Sequence, residues 1–221
     1  MNRCREHLET AINLHWPEFP HTFPYTGDDM TTVFFVRHAA PNLMNHDDLT
    51  RELSAKGLRD RLLVTEFLQT KRIDFVFSSP YRRAVETISD FAEKRRLEIS
   101  LVNDFRERKV GNGWINNFDE FCQRQWNDFS FKLDDGESLH EVQTRNVTTL
   151  NFLLKRFPEK HLAVGSHGTA LSTIINYYDK RFGYNEFRRI KNVMPWIVQF
   201  DFEGTDIKSI HTYDLFQSIL L

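Results

Sequence analysis

Thr31-Thr32-Val33-Phe34-Phe35-Val36-Arg37-His38-Ala39-Ala40-Pro41-Asn42 is the stretch on which the fold turns. Val33 to Val36 is apolar, β-branched and aromatic without a break, the composition of a short strand covered on both faces. The run stops abruptly at a cation and an imidazole. A strand interior cannot hold an unpaired guanidinium, so Arg37 and His38 belong just past the strand's carboxyl end. That is the edge at which open α/β sheets hold their ligands.

Outward from this strand the pattern recurs. Ser54 caps a helix running to about Gln69, with Leu58, Leu62, Leu63 and Phe67 at helical spacing on its inward stripe. Ile73 to Phe77 reads as a second strand. Ser78-Ser79-Pro80 follows at once, giving an N-cap serine and a proline at the first helical position, and Val85, Ile88 and Ala92 form the next apolar stripe. Arg82 and Arg83 fall in that helix's first turn, where basic residues oppose the macrodipole at a cost of a few tenths to about 1 kcal/mol unless an anion is bound there. Such a local inconsistency is a mark of function. Ile99 to Val102 makes a third strand, and the charged run Asp104 to Lys109 follows it.

Val110 to Asp135 carries Trp114, Phe118, Phe121, Trp126, Phe129 and Phe131 where a simple crossover needs fewer residues, and it reads as a cap over a pocket. The same aromatics would serve equally as the core of a small surface helix. After Gly136, Ser138-Leu139-His140-Glu141 is a capping box opening a long helix with Leu139, Val142, Leu150, Leu153 and Phe157 inward, closed by Pro158. Leu162 to Val164 forms a fourth strand that runs into Gly165-Ser166-His167-Gly168-Thr169 and a helix lined by Leu171, Ile174, Ile175 and Tyr178. Trp196 to Phe202, a Glu203-Gly204 turn and Asp206 to Thr212 suggest a terminal antiparallel pair.

Strand and helix alternate four times, which predicts an α/β fold: a three-layer αβα arrangement, a mostly parallel sheet with helices on both faces, and a small cap insertion at about residues 103–135. Parallel strands share one carboxyl edge. Arg37, His38, Arg82, Arg83, Glu107 and His167 should therefore converge on a single rim, although they are far apart in the chain.

Composition narrows the partners. The chain has 221 residues, 40% hydrophobic and 14% aromatic, enough for one sizeable core and one domain. A net charge of -2 provides no global field for nucleic acid or an anionic membrane, so the expected partner is a small phosphorylated molecule held by a local cluster. Cys4 and Cys122 are too few for a disulfide framework, which suits a cytoplasmic setting. No signal-peptide core or transmembrane run is apparent. Residues 1–29, with Pro17, Pro20 and Pro24, read as a short helix leading into an extended arm of unassigned role, and residues 30–221 as the catalytic domain. Met30 directly precedes the first strand, so one hypothesis starts translation there; an intact mass that includes Met1 would reject it. His7, His15, His21, His46, His140 and His211 lack metal-ligand spacing, and no metal or cofactor is expected.

Two imidazoles, at least two guanidiniums and a carboxyl on one rim suit phosphoryl transfer through a covalent phosphohistidine. Guanidinium forks match the charge that grows on the phosphoryl oxygens. Flanking arginines disfavour the imidazolium and keep His38 nucleophilic, while Glu107 is placed to give a proton to the leaving oxygen.

Val36-Arg37-His38, Ser78-Ser79-Pro80-Tyr81-Arg82-Arg83-Ala84-Val85-Glu86-Thr87, Phe105-Arg106-Glu107, Gly136-Glu137-Ser138 and Ser166-His167-Gly168 together resemble the histidine phosphatase superfamily. The likeness spans roughly residues 31–170 and points to the branch with cofactor-dependent phosphoglycerate mutases and small broad-specificity phosphatases. It implies His38 as the phosphorylated nucleophile, Arg37 and Arg83 as phosphate clamps with Arg82 a neighbour, His167 and Gly168 completing the phosphate pocket, and Glu107 as proton donor. Asn42 is a further candidate for phosphate contact, and Arg145 reads as a surface salt bridge. Ala39 stands where many members have Gly, which predicts strain if the position needs positive φ. Ala40-Pro41-Asn42 and Leu43-Met44-Asn45 replace residues usual in mutases, so the expected activity is metal-independent hydrolysis of a small phosphomonoester. The alternatives are a phosphoglycerate-type mutase and, outside enzymes, a phosphate-binding regulatory module without turnover.

Overall fold

The computed structural model describes residues 30–112, 115–216 and 219–220. The arm expected over residues 1–29, and Trp114 of the cap, lie outside the described residues. Strands β1 (Met30–Arg37), β2 (Phe75–Ser78), β3 (Ile99–Leu101) and β4 (His161–Ser166) pair in parallel in the spatial order β3-β2-β4-β1. Strand β5 (Trp196–Glu203) joins the other side of β1 antiparallel, followed by β6 (Asp206–Asp214) and β7 (Ile219–Leu220). Because β6 reverses β5, five of the seven strands point the same way, in keeping with the mostly parallel sheet expected. The β5–β6 pair is the terminal hairpin read from alternation, turning at Gly204.

Helices cover both faces. They are α1 (Ala55–Gln69), α2 (Arg82–Arg95), α3 (Phe118–Asn127), α4 (Leu139–Arg156), α5 (Gly168–Tyr178) and α6 (Tyr184–Ile190). Side chains of β1 alternate between two cores, as period-two geometry requires. Val33 and Phe35 face Phe105, Leu150, Leu171 and Phe200, whereas Phe34 and Val36 face Val64, Leu68, Ile88 and Phe91. Phe35 is fully buried, with edge contacts to Phe105 and Phe200, so its truncation to Ala would cost about 3–5 kcal/mol.

Two local expectations are corrected. Leu58 and Leu62 are 44% and 43% exposed, because α1 is rotated to seat Gly57, Val64 and Leu68 inward. The decisive contact is tertiary: a Cβ at Gly57 would come within 2.2 Å of the Ala40 carbonyl oxygen, so this face alone can approach the β1 loop. Helix α2 begins later than Ser78-Ser79-Pro80 suggests, with Tyr81 at its N-cap and no side-chain cap. The Ser138–Glu141 capping box forms as expected at the head of α4. Within the cap, Phe121, Cys122 and Trp126 of α3 pack on Leu139 and Phe187 as a third apolar cluster, while Phe118 faces a cavity. Among the described residues, no helix is long and apolar enough to cross a membrane.

Candidate active site

The rim at the carboxyl ends of β1, β2 and β4 encloses one side of a cavity of about 510 Å³. His38 continues β1 by one residue, its amide donating to the Ser166 carbonyl at 3.1 Å. Its ring is 6% exposed, and Nδ1 lies 2.8 Å from the Ala39 carbonyl oxygen. A carbonyl only accepts, so Nδ1 carries the proton and the Nε2 lone pair is left toward the cavity. Ala39 is not among the positive-φ residues, and its amide is held by Thr87 Oγ1, so the strain that Gly would relieve does not arise.

Arg83 reaches the same nitrogen from the first turn of α2, with Nε donating to His38 Nε2 at 3.3 Å. Its remaining donors hold Asp48 through the backbone oxygen at 2.7 Å and the carboxylate at 3.2 Å. Arg82, by contrast, is exposed and pairs with Glu86 one turn on. Arg37 is 9% exposed and spends both Nη1 donors on the Ile190 and Val193 carbonyls and one Nη2 donor on Lys191. Five N–H groups less three leaves Nε and one Nη2 hydrogen, the adjacent pair that forms a fork. Nε has no partner although it is buried. Gly168 packs on this guanidinium: a Cβ there would lie 3.0–3.1 Å from Cζ, Nε and Nη2.

His167 is wholly buried behind His38, with ring centroids 5.2 Å apart, and so is not part of the cavity lining. Its Nε2 lies 2.8 Å from Ser79 Oγ, and Nδ1 has no partner. Burial, then the Arg83 and Arg37 guanidiniums, hold the His38 imidazole well below its usual range. Burial and Arg83 do the same at His167. Burial also draws the Arg37 pKa down to about 10, against the pull of Glu107. Four cationic or potentially cationic groups, Arg37, His38, Arg83 and His167, thus crowd one buried spot, with the Asp48 carboxylate at its edge on Arg83.

Glu107 lines the cavity from the loop after β3. Its carboxylate accepts from the Thr169 and Ala170 amides at the start of α5, at 3.0 and 3.1 Å, and from the Arg108 amide at 2.8 Å. Arg37, His38, Arg83, Glu107 and Gly168 therefore share one cavity. Asn42 is not brought to it: its side chain bonds Glu52 and the Met44 amide, fixing the loop.

Sequence reasoning missed two arginines. Arg108, 4% exposed, lines the cavity with neutral partners, Gln125 and Cys122, under the rings of Phe118 and Phe121, and its Nε is unpartnered. The charged run after β3 was its signal, but not which member turns inward. Arg145 is not a surface ion pair, since it binds Glu137 and three carbonyls of the loop that carries Glu107. Among the described residues, no group of three or more His, Cys, Asp or Glu side chains could hold a metal ion.

The histidine phosphatase superfamily (branch 1) model matches residues 33–212, from within β1 into β6. The chain belongs to that superfamily. An uncharacterized phosphatase, PhoE of Bacillus subtilis, is 26% identical over 150 residues, covering 66% of this chain and 76% of that protein. Phosphoserine phosphatase 1 of Hydrogenobacter thermophilus is 27% identical over 152 residues, 62% of this chain and 71% of that one. The fold is that of the Entamoeba histolytica phosphoserine phosphatase solved with 3-phosphoglyceric acid, at TM-score 0.67 and 21% identity over 84% of this chain and 98% of that chain. The chain is accordingly an enzyme of the phosphoric monoester hydrolase class, histidine phosphatase type.

Proposed function

We propose that this protein is a metal-independent phosphatase that hydrolyses a small phosphomonoester in the cytoplasm through a phosphohistidine on His38. In the first step His38 Nε2 attacks phosphorus as the bond to the leaving oxygen breaks, and Glu107 gives that oxygen its proton. In the second, water attacks phosphorus, the Glu107 carboxylate takes the water's proton, and the phosphorus–nitrogen bond breaks to release inorganic phosphate. The free fork of Arg37, Arg83 and His167 stabilise the phosphoryl oxygens in both steps, with Gly168 giving Arg37 its close approach.

The observation that carries this reading is the tautomer. The 2.8 Å contact of His38 Nδ1 with the Ala39 carbonyl supports a neutral ring with its lone pair on Nε2, 3.3 Å from an arginine donor. Beyond the phosphoryl site, the buried Arg108 guanidinium with only neutral partners favours a leaving group that carries its own carboxylate or similar anion. Relatives named for phosphoserine, and one solved with 3-phosphoglyceric acid, agree with that class.

A panel of carboxylated, sugar, nucleotide and aryl phosphates tests it. Release of inorganic phosphate is expected from wild-type protein, fastest with carboxylated esters, and phosphate transfer between hydroxyls of phosphoglycerate would favour the mutase instead. Phosphate binding without turnover of any ester would favour the regulatory module. Glu107→Gln should cost roughly 10²–10⁴-fold on alkyl phosphates and far less on aryl phosphates, whose leaving oxygens need little protonation. Equal losses on both would remove Glu107 from the role of acid.

A further inference from the structure

We infer that Arg145 and Glu137 form a brace whose task is to hold the Glu107 loop at the height from which its carboxyl meets the leaving oxygen. This rests on the reading of Glu107 as the acid. All five N–H donors of Arg145 converge on this one region. Nε and Nη2 grip the two Glu137 oxygens at 2.9 and 3.1 Å as a fork. Nη1 donates to the Asp104 and Arg106 carbonyls, and the second Nη2 hydrogen to the Glu107 carbonyl at 3.2 Å. Three carbonyls of the loop, at 104, 106 and 107, are thereby fixed to a helix. Helix α4 does not itself touch the cavity, so Arg145 is a positioning residue and not a catalytic one.

Glu137 closes the other half. Its Oε1 also accepts from Arg106 Nη2 at 2.8 Å, and its Oε2 from the Lys109 amide at 2.9 Å. Its own amide donates to the Lys109 carbonyl at 2.7 Å. The loop is therefore clamped on both sides of residue 107, at 104–106 and at 109, by one carboxylate–guanidinium pair that is itself mostly buried, 16% and 11% exposed at the side chains. Burial raises the Glu137 pKa, but Arg145, the Lys109 amide and Arg106 together more than offset this and leave the carboxyl below its usual range. The loop's other tethers run elsewhere: Phe105 plugs the core against Phe35, Thr149 Oγ1 donates to Asp104, and the Glu107 carboxylate accepts from the Thr169 and Ala170 amides of α5. Among the described residues, the Arg145 hydrogen bond is what ties the backbone carbonyl of residue 107 to α4. An angstrom of drift at the acid is enough to cost about 10²-fold in rate.

A brace of this kind predicts a selective defect, whereas a purely structural pair predicts a uniform one. Glu137→Gln, which keeps the shape, should lower kcat/KM on an alkyl phosphate such as phosphoserine by roughly 10²-fold. Turnover of p-nitrophenyl phosphate, which needs little protonation, should stay within about threefold, and KM should move little. Arg145→Lys, which keeps the charge but loses the fork, should show the same selectivity and keeps the test open if Glu137→Gln fails to fold. In a Glu107→Gln background the Glu137→Gln change should cost nothing further on phosphoserine, because there is no acid left to position. Equal losses on both substrates, or full additivity with Glu107→Gln, would overturn the brace. Absence of leaving-group dependence in Glu107→Gln alone would instead overturn the assignment of the acid, so the two failures are read apart.

Discussion

Strand β1 carries a polar cluster near each end, and they are built on opposite rules. Near its amino end Thr32 joins Gln199, Ser209 and His211 around Asp201, and the donors are aimed at that one carboxylate: Thr32 at 2.8 Å, Gln199 at 3.0 Å to both oxygens, with Ser209 closest of all. At the carboxyl end, Arg37, His38, Arg83 and His167 bring cations and imidazoles together, the Asp48 carboxylate meets only Arg83 among them, and Arg37 Nε and His167 Nδ1 are left buried and unpartnered. The first cluster closes upon itself and serves the sheet. The second leaves buried polar atoms beside the cavity without partners.

That contrast can be broken most forcefully at position 38. His38→Ala should cost roughly 10⁴-fold or more in kcat while the protein remains folded, as measured by phosphate release and thermal melting on the same sample. The opposite result is expected from Asp201→Ala, which takes the acceptor from three donors, Thr32, Gln199 and Ser209: about 1–3 kcal/mol of stability lost in urea titration, with kcat and KM unchanged. Were the two outcomes exchanged, the division between ligand site and structural cluster would be wrong.

A smaller effect sharpens it. In the folded protein both rim imidazoles are held well below their ordinary value of 6.5, by burial first and Arg83 next. Unfolding restores that value, so below it the unfolded chain binds more protons than the folded one. Stability is therefore full above about pH 6.5 and declines as pH falls, with a slope approaching about 1.4 kcal/mol per pH unit for each ring. Urea titrations from about pH 7 to about pH 5 should show this decline in wild-type protein and a shallower one in His38→Ala. An unchanged slope would mean that the ring is charged in the folded state.

The alternation of strands and helices and the rim were legible because they rest on local signals. An apolar run ending in Arg37-His38, or in Ser166-His167-Gly168, announces a strand end whatever surrounds it. Facing and partnership were not. Leucines at 58 and 62 fit an inward stripe as well as an outward one, and the choice was made by the close approach of Gly57 to Ala40. Arg145 looked like surface decoration because, besides Glu137, its partners are backbone carbonyls some forty residues away, which carry no side-chain signature. The same holds for Arg37, three of whose donors go to carbonyls at 190–193. Asn42 shows the converse case, since its amide closes its own loop through Glu52 and the Met44 amide.

Rapid acid-free quenching of the enzyme during turnover of a phosphate-labelled ester, followed by mapping of the modified peptide, tests the chemistry most directly. Label that survives base, is lost in mild acid and sits on His38 is the predicted result, with none retained by His38→Ala. Label on another residue, or undiminished turnover by His38→Ala, would contradict it.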